Sequence, residues 1–245
     1  MLHKTRGIVL RSIKYGDSSI IVTIFTALFG VQTYIVKGIR SERSKEKKTG
    51  LFQPSVLLDL VVYQNPQKNM QHISQYQFAH LYQTTQESIV KNSIAIFSVE
   101  ILLKLLPEQA VSADLFDFAF QFFLQLDGLE TASVKNFPIY FIIRCSAYAG
   151  YAIAGEFSES TPYLNIKEGI FSANLPEINL YALNEEDSNT LFVLLQAQSI
   201  NDLKSIQISN VSRKRIIEWY IYFLQLHTQH MGEIKSLSVL HSVLH

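Results

Sequence analysis

Up to about residue 80 the chain alternates apolar and polar positions with a period near two. Gly7–Lys14 (GIVLRSIK) and Ser18–Thr26 (SSIIVTIFT) are rich in β-branched residues, and Tyr15-Gly16-Asp17 between them is a turn signal. Leu28-Phe29-Gly30 marks a second turn, ahead of a third strand over Val31–Lys37. Ser55–Tyr63 (SVLLDLVVY) reads as a fourth strand, ended by Asn65-Pro66. Met70–Phe78 reads as a fifth, with Met70, His72, Ser74, Tyr76 and Phe78 on one side and Gln71, Ile73, Gln75 and Gln77 on the other. Five short strands with one long polar connection after the third predict a small closed barrel. The five-stranded OB-fold is the commonest candidate, and such barrels often bind nucleic acid. The strand count alone leaves an SH3-like barrel open.

From about residue 85 the period becomes helical. Val90, Ile94, Phe97, Ile101 and Leu105 form one stripe, stopped by Pro107. Leu115, Phe118, Phe122 and Leu126 form the next, with Asp114 and Gly128 as its end signals. A third helix is predicted over about Phe137–Ala149, with Pro138 in its first turn and Gly150 closing it. Residues 155–183 lose the period and hold Gly155, Pro162, Gly169 and Pro176, so they read as a loop or small hairpin. Asn184-Glu-Glu-Asp187 looks like a capped helix start, Ser212 is the expected cap of a helix reaching His227, and a short helix follows near Leu237–Leu244. The expected class is α+β and multidomain: a barrel domain over 1–80 and a helical domain over 81–245 that carries the 155–183 insertion.

Composition narrows this without redirecting it. The chain has 245 residues, 48% hydrophobic and 17% charged, which is globular. Cys145 is the only cysteine, so an internal disulfide and a cysteine-based zinc site are both excluded, and a reducing cytoplasmic home is the natural reading. It lies in the apolar run IIRCSAYAG, where a buried small hydrophobe fits better than a nucleophile. No apolar run is long enough to span a membrane, and MLHKTRG lacks the core of a signal peptide.

Charge does redirect it. The net charge is zero, but residues 1–80 hold eleven Lys/Arg against four acids, a surplus of +7, and the remainder carries −7. Such asymmetry points to a polyanion for the front part. Two domains that merely attract each other would give the same numbers. Lys37, Arg40, Arg43, Lys45, Lys47 and Lys48 fall within twelve residues after the third strand, a pattern able to track a phosphate backbone. Lys4, Arg6, Arg11 and Lys14 on or near the first strand extend it. Phe29, Tyr34, Phe52, Tyr63 and Tyr76 are candidate stacking platforms, although core packing accounts better for most of them. Arg213, Lys214 and Arg215 fall in the first turn of a predicted helix, where each cation is unfavourable by roughly 0.3–1 kcal/mol. Without a local benefit, that cost suggests an anionic partner. Nucleotide-binding, serine-hydrolase and zinc-protease motifs are absent, and His227 with His230 makes a poor metal pair, so neither cofactor, metal nor small-molecule substrate is expected.

These residues resemble the bacterial RecO family of recombination mediators. Thr5-Arg-Gly-Ile-Val-Leu10, Tyr15-Gly16-Asp17, Ile24-Phe25-Thr26, Gly30, Lys37-Gly38-Ile39-Arg40, Ser44 and Gln53-Pro54 follow the family's order and spacing, and Met231–His241 (MGEIKSLSVLH) is similar to its closing segment. The resemblance implies an N-terminal OB-fold and a C-terminal helical domain. It implies binding of single- and double-stranded DNA, annealing of complementary strands, and RecA loading with RecR and single-stranded DNA-binding protein. The cytoplasm, at the nucleoid during repair, is the implied location. On this reading Arg213, Lys214 and Arg215 rim a groove for the acidic tail of single-stranded DNA-binding protein. One departure matters: many relatives carry a four-cysteine zinc site in the insertion, whereas Ala149–Pro176 here has no cysteine. Packing of Phe157, Tyr163, Leu164, Ile166, Ile170 and Phe171 is expected in its place. The rival from another class is a protein adaptor that binds through its acidic helical domain.

Overall fold

The computed structural model describes residues 1–39, 48–174 and 183–244. The chain forms two compact units that do not follow a single cut. One comprises 1–87 and 106–128, the other 88–105 and 129–245. The helix at 113–128 therefore belongs with the barrel, which differs from the expected division at residue 80.

In the first unit, β1 (Leu2–Tyr15), β2 (Ser19–Thr26), β3 (Gly30–Val36), β4 (Leu57–Tyr63) and β5 (Met70–Phe78) close a barrel in the order β1-β2-β3-β5-β4. All pairs are antiparallel except β3–β5. This is the OB-fold arrangement. Following partners round the barrel from Ile13 gives Ile21, Ile35, His72, Tyr63 and then Leu2, eleven residues from the start on the same strand. That offset is the stagger that closure demands. Val9, Ile20, Val22, Ile24, Tyr34, Val36, Leu58, Leu60 and Val62 fill the interior.

The regular alternation expected along Met70–Phe78 breaks at a bulge. Val62 faces Ile73 and Val61 faces Gln75, so Ser74 is left over and Tyr76 turns inward against Phe52, ring centroids 4.9 Å apart.

α1 (Ile89–Leu105) ends two residues before Pro107, and α2 (Ala113–Gly128) follows. α2 buries two stripes of phenylalanine, because Phe116, Phe120 and Phe123 join Phe122 and Leu126 inside. Phe116 meets Phe25 of β2 edge-on at 5.3 Å. Ahead of α2, Gln109 N–H donates to the Val31 carbonyl, which seats the chain beside β3. Gly30 makes this approach possible: its φ is +63°, and a Cβ there would run into the Ala110 carbonyl.

The second unit contains α1, α3 (Phe137–Tyr148), α4 (Glu185–Gln196), α5 (Asn210–His227) and α6 (Leu237–Val243), with β6 (Tyr163–Asn165) and β7 (Ile170–Ser172) as a hairpin. Asn184 caps α4 as expected, accepting from Asp187 N–H at 2.8 Å. Ser209 caps α5 in place of Ser212, three residues earlier than expected. Tyr220 and Ser146 hydroxyls meet at 2.6 Å in the interior, and Trp219 stacks on Phe223. Glu100 accepts from Lys235 N–H, Ser236 N–H and the Ser236 hydroxyl ahead of α6. Burial pushes its carboxyl up, but the Ser236 and Lys235 bonds outweigh this and hold it below the usual range.

The cysteine-free hairpin is held by packing. Leu164, Ile166 and Phe171 are buried, Phe171 meets Phe157 and Phe192 edge-on, and His227 binds the Ile166 carbonyl at 3.1 Å. Two expected contributors differ: Ile170 is exposed, and Tyr163 donates to Glu185.

Candidate nucleic-acid interface

Strand alternation decides which side chains leave the barrel. Thr5, Val9, Val22, Tyr34 and Val36 point in, so their neighbours point out. Around β1, β2, β3 and β5 two rows of outward residues lie side by side. One is Ile13, Ile21, Ile35, His72, continued by Tyr63 on β4. The other is Arg11, Thr23, Thr33, Met70. Ile13, Tyr63 and Met70 are exposed, and the middle positions are half-buried. Tyr15, Lys14 and Lys37 stand exposed at the upper end of this face, where β1 and β3 finish. Lys68 is exposed in the β4–β5 turn. The result is a shallow apolar strip with cations along its margins. Flat bases suit the strip and phosphates suit the margins.

The sequence-expected residues divide sharply. Lys37 and Arg11 sit on this face, and Lys14, paired with inward-pointing Ile20, stands exposed at its upper end. Arg40, Arg43, Lys45 and Lys47 lie outside the described residues, as does the side chain of Lys48. Arg6 is exposed but committed: it bonds Asp117 of α2 at 2.9 Å and lies 4.7 Å over the Phe120 ring. That guanidinium holds α2 to β1. Lys4, with Arg6, Asp59, Gln75 and Gln77, lines a groove of about 700 Å³ whose mixed charge does not favour an anion. Of the five aromatic candidates, Tyr34 and Phe52 are buried core, Tyr76 and Phe29 pack against that core, and Tyr63 is half exposed.

Of the three cations Arg213, Lys214 and Arg215, Arg213 and Arg215 have close local partners. Arg213 is buried and donates to Asn136, Asn210 and the Ile208 carbonyl. Arg215 Nε lies 2.7 Å from the buried Asp187 carboxylate. Lys214 is exposed and 4.0 Å from Glu218. With the cap at Ser209, Lys214 and Arg215 fall in the second turn, where the helix-dipole penalty has faded, and Arg213 is compensated by its own partners. Cys145 is buried, and desolvation pushes its thiol well up.

Sequence reasoning missed the isoleucine row, His72 and Lys68. The signal was available in SIIVTIFT, where Ser19, Ile21 and Thr23 share the outward phase. It also missed Asp127 at the end of α2. That carboxylate accepts from Gln83, Thr84 and Thr85 N–H, from both threonine hydroxyls, and meets His80 Nε2 at 2.9 Å. Burial alone would raise it, but the Gln83, His80, Thr84 and Thr85 bonds hold it well below the ordinary aspartate range. Among the described residues no group of three His, Cys, Asp or Glu side chains gathers as a metal site, and no helix is long and apolar enough to cross a membrane.

Barrel order, parallel closure and the cation-edged outer strip define an OB-fold protein with an appended helical unit. Residues 1–82 match the family model described as recombination protein O, N terminal, and residues 86–161 match its C-terminal counterpart. The chain belongs to the RecO family of DNA repair proteins. Among its relatives are proteins named DNA repair protein RecO from Azobacteroides pseudotrichonymphae, 28% identical over 99% of both chains, and from Phocaeicola vulgatus, 29% identical over 98% of both. The relative of the same name from Christiangramia forsetii is 26% identical over 99% of both.

Proposed function

We propose that this chain is a DNA-binding recombination mediator that performs no bond-making chemistry of its own. It binds single- and double-stranded DNA through the backbone, anneals complementary strands, and works with RecR and single-stranded DNA-binding protein toward RecA loading. The cytoplasm, at the nucleoid during repair, is its proposed place. The apolar strip of β1, β2, β3 and β5 edged by Arg11, Lys14, Lys37 and Lys68 carries this reading. The basic run Arg40, Arg43, Lys45, Lys47 and Lys48 leaves β3 beside it in sequence and is proposed to add phosphate contacts. Annealing needs only that cations reduce repulsion between two strands. The helical unit is proposed to receive protein partners, with Lys214 the rim cation best placed to meet one.

The test is oligonucleotide binding by fluorescence anisotropy across a salt series. Affinity is expected to be nearly independent of sequence and to fall steeply with salt. Replacing Arg40, Arg43 and Lys45 together by Ala is expected to flatten the log–log slope for single strands by roughly 2, at about 0.7 per phosphate contact. Binding that ignores salt would overturn the reading in favour of the adaptor.

A further inference from the structure

The β4–β5 turn has a more specific construction than a charged margin needs. Tyr63 ends β4 with half its surface exposed, between Leu2 of β1 and His72 of β5. Beside it is a cavity of about 370 Å³, walled by Met1, Pro66, Met70 and His72 and also lined by Gln64 and Asn65, with the Met1 ammonium donating to the Gln64 carbonyl at 3.3 Å. The turn that forms its rim is held from below. Gln71 is buried, its Nε2 donates to the Asn65 and Lys68 carbonyls at 2.9 and 2.6 Å, and its Oε1 accepts from Asn65 N–H at 2.9 Å. Asn65 Oδ1 in turn accepts from Gln67 N–H at 3.0 Å. A turn fixed this way gives up little freedom when a ligand arrives. It presents Lys68 to solvent within the same cavity wall.

We propose that this cavity takes one unpaired nucleobase, stacked on Tyr63, with Lys68 on a neighbouring phosphate. The assignment rests on the DNA-binding reading and deepens it. An aromatic face next to largely apolar walls suits any base without selecting one, since every base offers a π-face. The lysine at the rim sets the polarity of the occupant: a base attached to an anionic backbone fits, and a cationic side chain does not. Gln71 is a positioning residue that acts through the turn. A base paired within a duplex cannot enter, so the slot contributes to single strands only.

The test compares wild type, Tyr63→Ala, Tyr63→Phe and Lys68→Ala in the full chain, using a mixed-sequence single strand, the same strand with abasic positions, and a duplex. Tyr63→Ala is expected to weaken single-strand binding about 10-fold with the salt slope unchanged, while Tyr63→Phe stays within about 2-fold. Lys68→Ala is expected to flatten the slope by about 0.7. Abasic positions are expected to weaken wild type and leave Tyr63→Ala unaffected, and duplex binding is expected to be the same for wild type and Tyr63→Ala. Wild type that binds the normal and abasic strands equally overturns the slot while leaving the DNA-binding reading intact. So does Tyr63→Ala that binds single strands like wild type, or that weakens duplex equally. Wild type that binds neither strand nor duplex overturns both.

Discussion

Asp127 is a buried, multiply hydrogen-bonded carboxylate of the barrel unit, and its removal gives a sharp test of the packing around it. Its carboxylate is 3% exposed and gathers three consecutive backbone N–H groups, two hydroxyls and an imidazole. Asp127→Ala removes this acceptor from the three N–H groups, the Thr85 hydroxyl and His80, while the Thr84 hydroxyl keeps the Asp127 main-chain carbonyl at 2.6 Å. Breaking one side of a buried, hydrogen-bonded charge costs about 3–5 kcal/mol. Asp127→Asn is milder. Its oxygen can keep the Thr84 N–H, Thr85 N–H and Thr85 hydroxyl, all at 2.9 Å. Its amide nitrogen then replaces Oδ2, which lies 2.9 Å from both His80 Nε2 and Gln83 N. Two donors would face each other at Gln83, and the charge assistance is lost, for about 2 kcal/mol in all. At about 2–4 °C per kcal/mol for a chain of this size, the melting temperature should drop by about 4–8 °C for Asn and about twice that for Ala.

The pH dependence follows from the direction of the Asp127 shift. A carboxyl depressed in the folded state contributes stability that is fully present above its unfolded pKa, about 3.9, and is lost as pH falls through the folded value. The gap between wild type and Asp127→Asn should therefore be constant from pH 7 to about 5 and shrink below about 4. Melting curves of the full chain at these pH values, with hydrogen exchange at the Gln83, Thr84 and Thr85 amides, check both points. Variants that melt with wild type, or that leave those three amides equally protected, would refute the account.

Two further outcomes are expected. Gly30→Ala meets both a left-handed backbone and the Ala110 carbonyl, so it should lower the melting temperature by at least about 6 °C, whereas Gly16→Ala, with open space around it, should show only the backbone strain of about 1 kcal/mol; equal losses in calorimetry would contradict the seating of the segment before α2 on β3. Arg213→Ala should destabilise the second unit by about 3 kcal/mol because it strands Asn136, Asn210 and the Ile208 carbonyl, while Lys214→Ala should stay within about 0.5 kcal/mol; denaturant titration separates the two.

The strands, their order of appearance and most helices were legible because they rest on local periodicity. The 2-residue alternation of β2 and the stripe from Val90 to Leu105 need no knowledge of the rest of the chain. What was illegible depended on partners distant in sequence. Arg6 reads as one more cation of a basic front until Asp117, 111 residues later, is found 2.9 Å from it. Arg213 reads as a misplaced charge until Asn136 reaches it. The bulge at Ser74 was hidden for a different reason: alternation in MQHISQYQF is compatible with either phase, and only pairing with β4 decides that Tyr76 turns in. α2 presented a helical stripe but no indication of which core it would join.

The place of α2 also changes what the charge asymmetry means. By chain order the front 80 residues carry +7, but the compact barrel unit also includes Glu87, Glu108, Asp114, Asp117 and Asp127, which reduces it to +2, His neutral. The unit is therefore nearly balanced, and the placement of individual charges decides where a polyanion could lie. Two of the added acids are consumed locally, Asp127 by its cage of donors and Asp117 by Arg6. Glu108 is different: it is exposed and lines a cavity with Thr33, Asn69 and Met70, at the lower edge of the strip. A phosphate backbone would avoid that corner. Exposed charges farther away than about 8 Å are largely screened at physiological salt, so Glu108 acts locally and leaves the upper margin at Lys14 and Lys37 positive. On the proposed DNA-binding reading, a strand would run along the Ile13–Ile21–Ile35–His72 row toward Tyr63, with phosphates toward the ends of β1 and β3 at one end and Lys68 at the other.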